Sequence, residues 1–244
     1  MMDGKNPAPI RSEPRVALVP LRHFGPIVAM DFHSAIGMLP RGGELAAMLV
    51  VVCFSAGLNV YATVAMLGLL GRAHVLALPD SLGAVENWFV IAACVVLFAL
   101  EFVGDKVPVF DLLWNAAHTF VRVPVAALLA YGATSHLPPW KQAAATLLGG
   151  LIALAAHGGK TAARAVVTPS PEPISNIGLS LGEDSLVVFL MWFATKHPYA
   201  AAAIVVVALG AIAASIRLIV RSLRRLLADA ENAILGFPRT RSQV

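Results

Sequence analysis

With 244 residues, 58% of them hydrophobic and 13% charged, a formal net charge of +4 and a mean hydropathy of +0.77, the chain is too apolar for an ordinary soluble domain, where roughly 25% of residues are charged. Its cations gather at the ends: Lys5, Arg11, Arg15, Arg22 and Arg41 before the first apolar segment, and Arg217, Arg221, Arg224, Arg225, Arg239 and Arg241 at or after the last. That placement speaks for membrane topology and headgroup contact, and against a nucleic-acid partner.

Residues 1–40 carry Pro7, Pro9, Pro14, Pro20 and Pro26 among scattered charges. They read as a disordered or interfacial cytoplasmic arm with a short interfacial stretch near 24–38, and show no cleavable signal peptide. A crossing takes about 20 mostly apolar residues, and candidates run over 44–71, 84–104, 110–133, 142–165, 178–196 and 198–220. Turn residues or charges separate them, at Pro79-Asp80-Ser81, 104–108, 136–139, 168–173 and Lys196-His197-Pro198. The expected fold is therefore all-α and polytopic, with about six transmembrane helices over 41–225 and a basic cytoplasmic tail over 226–244. Basic ends on both sides place both termini in the cytoplasm, which favours an even count; five or seven would follow if the third or fifth segment is only half-inserted.

In the first segment Asn59 and Thr63 form a polar i,i+4 pair, explained by hydrogen bonding between helices. Cys53 and Cys94 lie in apolar runs and read as packing residues, with no disulfide or metal cluster. Glu101 and Asp105 close the second segment. The third carries Asp111, Asn115, His118 and Arg122 at i, i+4, i+7 and i+11, on one helical face. Asp111 can reach Asn115, and His118 can reach Arg122; Pro124 follows as a kink or a re-entrant end. A surface-lying amphipathic helix is the alternative for this segment.

The fourth segment lines Gly149, Ala153 and Ala156 on one face, which suits close helix packing. After them come His157, Lys160, Thr161 and Arg164. Gly158-Gly159 beside two cations can free backbone N–H groups for an anion; the competing reading has Lys160 and Arg164 snorkel to headgroups. No GxxxxGK[ST] nucleotide loop is present. Glu183 and Asp184 are adjacent carboxylates inside the fifth segment, where each requires a partner, a cavity or a proton. The basic stripe leaving the sixth, Arg217, Arg221 and Arg224, suits anionic lipid headgroups.

A short match between 56–63 and 157–164 suggests a 3+3 inverted repeat, 44–133 and 142–220, with a broken or re-entrant helix and a midplane site. The stretches 55–63, 101–108, 113–120, 156–160 and 170–176 with Glu183-Asp184 together resemble a bacterial integral-membrane family known only as domain of unknown function 4126. The resemblance spans about residues 44–200. It implies a multi-pass inner-membrane protein and brings no activity, cofactor or site residue.

Three functions compete. The first is a small transporter or channel for an ion or small anionic solute. Its pathway residues would be Asn59, Glu101, Asp105, Asp111, Asn115, His118, Arg122, His157, Lys160, Arg164, Glu183 and Asp184. The second is an intramembrane enzyme on lipid or isoprenoid phosphate, which lacks an HExxH or GxSxG motif. The third is a structural or assembly subunit whose buried charges only specify helix pairing. No cofactor is implied, a metal is left open, and membrane lipids are the expected partners, with homo-oligomerisation undecided.

Overall fold

In the computed structural model the described residues are 42–104, 108–167 and 173–235; within them the side chains of 104, 108–116, 165–167, 173–176, 223 and 229–235 are excluded. The expected N-terminal arm, the end of the basic tail and Asp105 lie outside the described residues, as do the side chains of Asp111 and Asn115. The described part is all-helical. In chain order it comprises α1 (Gly42–Leu58), α2 (Val60–Arg72), a 3-10 turn (Asp80–Glu86), α3 (Trp88–Gly104) and α4 (Pro108–Ala133). Then follow α5 (Pro139–Val167), α6 (Pro173–Lys196) and α7 (Pro198–Leu235). Two helices, Ile177–Lys196 and Pro198–Ala228, are long and apolar enough to cross a membrane; Asp80–Glu86 with Trp88–Val103, bent by 59°, makes a third if taken as one span. This fits a membrane protein.

The first departure from the sequence reading is at 44–71, where one crossing was expected. The chain breaks there at Asn59, whose backbone is extended (φ −149°, ψ 102°). The Asn59 side chain supplies what the break removes: its Oδ1 accepts from Ala62 N at 3.0 Å as an N-cap for α2, the role asparagine fills best. Its own carbonyl accepts from Thr63 N (3.1 Å) and Thr63 Oγ1 (2.8 Å). The Thr63 bonds are thus local to the turn, whereas Asn59 does bond to another helix, through Nδ2 to Asp184.

Helix directions follow from paired contacts. α1 runs parallel to α5: Cys53 meets Gly149, and further along both helices Gly57 meets Ala153 and Ala156. α4 is antiparallel to α5, since Ala130 meets Gly149 while Arg122 meets His157. α3 is antiparallel to α4: the turn before α3 touches Gly132 through Leu82 and Ser81, and Glu101 near its end meets Arg122. α2 is antiparallel to α3, with Gly68 beside Ile91 and Arg72 over the Trp88 ring at 4.5 Å. It follows that α1 and α2 run in opposite senses. They enter and leave at the same end of the bundle and meet inside it at Asn59. At 17 and 13 residues they are about 25 and 20 Å long, each short of a hydrocarbon core of about 30 Å.

α7 starts beside α1, with Tyr199 against Gly43, and reaches Gly159 with Ile212. It therefore runs with α5, and α6 runs back between them. Five helices, α3 to α7, run in alternating senses, and the start of α1 and the end of α7 lie at opposite ends of the bundle. α4 is helical through Pro124, and only His197 separates α6 from α7. The break at Asn59 has no counterpart in α5, which is continuous through Gly158-Gly159. The expected unwinding there does not occur, because the glycine N–H groups stay in the helix.

α1 is the inner element, packed on α2, α4, α5, α6 and α7. Its contact with α5 depends on small residues, as the Gly149/Ala153/Ala156 line suggests. A Cβ at Gly57 would fall 2.8 Å from both Ala153 Cα and Ala156 Cβ and collide with the Ala153 carbonyl. Gly57→Val should accordingly lower stability by about 2–3 kcal/mol, read as a drop in Tm in detergent. Gly158, with open space around it, is the control: Gly158→Ala should be neutral or stabilising by up to about 1 kcal/mol.

Candidate functional site

The polar interior gathers where α1 stops and α2 begins. Asn59, Glu101, His118, Arg122, His157, Lys160, Arg164, Glu183 and Asp184 are all buried, and they come from the helix break and from α3, α4, α5 and α6. The outward faces of the same helices are apolar. Arg122 is 0% exposed while Phe120 is 83% exposed, and α5 turns Leu147, Leu148, Leu151 and Leu154 outward. This is the reverse of a soluble protein's distribution.

Ion pairs link the cluster. Glu101 meets the Arg122 guanidinium through Oε1, and the same oxygen lies 3.7 Å from Lys160 Nζ. Lys160 Nζ is also 3.2 Å from Glu183 Oε2, which Arg164 Nη2 contacts at 2.9 Å. Asp184 takes a different partner: its Oδ1 accepts from Asn59 Nδ2 at 3.0 Å. Among the described residues three carboxylates (Glu101, Glu183, Asp184) thus face three cations (Arg122, Lys160, Arg164). Balance is demanded here, because an isolated ion removed from water costs several kcal/mol.

Two histidines extend the network. Arg122 Nη1 is 2.8 Å from His157 Nδ1. A guanidinium has only donors, so Nδ1 accepts, and the ring proton sits on Nε2. That Nε2 then donates to Thr119 Oγ1 at 2.8 Å. His118 Nε2 lies 2.9 Å from the Tyr61 hydroxyl, the two rings meeting edge-on with centroids 5.5 Å apart.

Helix ends add partial charge. The C-terminus of α1, negative by its dipole, presents the Leu58 carbonyl to Lys160 Nζ at 3.2 Å. The N-terminus of α2, positive, begins at the residue that binds Asp184. Lys160 and Arg164 therefore turn inward on carboxylates; the snorkelling alternative is set aside. The surface-lying alternative for the third segment fails for the same reason, since His118 and Arg122 are buried.

Among the sequence candidates, Asn59, Glu101, His118, Arg122, His157, Lys160, Arg164, Glu183 and Asp184 converge. The sequence reading missed Tyr61, Thr119 and the Leu58 carbonyl as members. The signal for Tyr61 was a phenol inside an apolar run, which requires a partner when buried. No sequence signal marked Leu58, because its contribution is backbone. Among the described residues no group of three or more His, Cys, Asp or Glu is placed to hold a metal ion.

Residues 46–218 match the family described as Domain of unknown function (DUF4126), and the chain belongs to that family. No curated protein and no solved structure matches it significantly.

The pairing carries a stability prediction. Glu101→Leu leaves Arg122 and Lys160 short of a carboxylate in a buried site and should cost about 3–5 kcal/mol. Adding Arg122→Met restores the balance and should recover most of that loss, as thermal unfolding in detergent would show.

Proposed function

We propose that this protein is a membrane transporter or channel for an ion or small anionic solute, with its pathway centred on the Asn59 break. The observation that carries the reading is the convergence of buried ionisable side chains from α3 to α6 on two half-helix ends. Intramembrane charge is costly and marks ion and substrate pathways. Discontinuous helices whose ends meet near mid-depth are how many transporters hold ions and charged groups. Glu101 Oε2, fully buried, has no hydrogen-bond partner among the described residues, an acceptor available to a solute or proton.

In this reading α3 taken with the 3-10 turn before it, and α4 to α7, cross the cytoplasmic membrane, and α1 with α2 forms a re-entrant pair. α4 and α5, at 26 and 29 residues, are long enough to cross. Their polar residues lower their mean hydropathy but face inward, so their outer faces still suit lipid. Five crossings replace the six inferred from segment counting. They put the start of α1 and the end of α7 on opposite faces, in place of two cytoplasmic termini. The break at Asn59, with α5 continuous at the matching position, argues for one re-entrant element in place of two repeated ones.

One observation favours a scaffolding role instead: among the described residues each of the three buried cations has a carboxylate. The paired neutralisation Glu101→Leu with Arg122→Met distinguishes the two. A scaffold tolerates it, whereas a pathway loses activity although the doubly substituted protein folds.

Two measurements test the main reading. In proteoliposomes the parent should move a small ion or anion and Glu183→Gln should lose most of that flux; an inert parent across a broad solute panel removes the proposal. For topology, Gly42→Cys and Arg221→Cys, each made without Cys53 and Cys94, are exposed to an impermeant maleimide on intact cells. One should label directly and the other only after lysis. Equal labelling would restore an even number of crossings.

A further inference from the structure

The acceptors around Lys160 form an oxygen shell. The Lys160 Nζ lies 3.2 Å from the Leu58 carbonyl, 3.2 Å from Glu183 Oε2 and 3.7 Å from Glu101 Oε1. The carbonyl is available for a reason independent of the carboxylates. In an unbroken helix Leu58 O would accept from Ala62 N, four residues on. Here Ala62 N is taken by the Asn59 side chain, so the cap that starts α2 releases the last carbonyl of α1 toward the interior. A half-helix C-terminus and two carboxylates are donors that suit a cation with little hydration of its own.

We propose that the Lys160 ammonium fills a monovalent-cation site, and that a free alkali cation takes its place when the ammonium is removed or withdrawn. Charge fixes the valence. One positive charge replaces another and the cluster keeps its charge, whereas a divalent ion adds one. Size fixes the preference: K+ is close to an ammonium in radius, and oxygens 3.2 to 3.7 Å from Nζ need close in less around K+ than around Na+ or Li+, so K+ binds ahead of them. Glu101 Oε2, lacking a hydrogen-bond partner among the described residues, can rotate in to complete the shell. The inference deepens the transport reading by naming the class of ion the interior accepts. It is tested by binding, without a gradient, so its failure and the failure of transport are separate results.

The experiment compares the parent, Lys160→Ala and Lys160→Met in detergent, with thermal unfolding followed in choline, Li+, Na+ and K+ chlorides at matched ionic strength. The parent should respond equally to all four salts. Both variants should be less stable in choline and regain a Tm increment of about 5 °C or more with K+, saturably. Glu183→Gln in the Lys160→Ala background should remove that K+ response. The proposal is overturned if the variants show no K+-specific rise or remain unfolded in every salt. It is equally overturned if the K+ response survives Glu183→Gln.

Discussion

Buried charge must find its opposite, and the rest of this structure depends on that requirement. Arg122, Lys160 and Arg164 stand on helices whose other faces are apolar, and all three are buried. Each needs a carboxylate from another helix, which α3 and α6 supply as Glu101 and Glu183. The ion pairs thereby set which faces of α3, α4, α5 and α6 look at one another. Packing alone, between apolar helices in an apolar solvent, discriminates far less well among rotations.

The helix break works within the same constraint. An interrupted helix in an apolar setting strands backbone groups, and each must be satisfied internally. Asn59 satisfies the N–H side with its Oδ1 and reaches Asp184 with its Nδ2. Lys160 satisfies the carbonyl side at Leu58. The turn therefore brings backbone polarity to the place where side-chain charge is densest, and the two stabilise each other. Small residues permit the approach: at Gly57, Ala153 and Ala156 the α1 and α5 backbones lie too close for larger side chains.

A good part of this was legible in the chain. Segment positions came from apolar runs and breaks, and the inward stripes of α4 and α5 from helical spacing. The polar residues on these apolar segments were picked out because ionisable groups rarely persist there without a role or a partner. Other inferences failed for identifiable reasons. Gly158-Gly159 suggested an unwound backbone, yet a helix tolerates paired glycines when its neighbours hold it. The broken helix suggested by the match of 56–63 with 157–164 occurs at Asn59 and not in the second stretch, because only Asn59 has a side chain that can cap the helix it starts.

Composition and periodicity by themselves determined that this is a helical chain with apolar outer faces and ionisable groups on its inner ones, because those properties are local and repeat every few residues. Only the tertiary structure decided that α1 and α2 run in opposite senses, that Glu183 serves Lys160 and Arg164 while Asp184 serves Asn59, and that Leu58 offers its carbonyl to the interior. Those outcomes turn on which distant groups can compensate one another at about 3 Å, a matter of three-dimensional pairing that no spacing along the chain encodes.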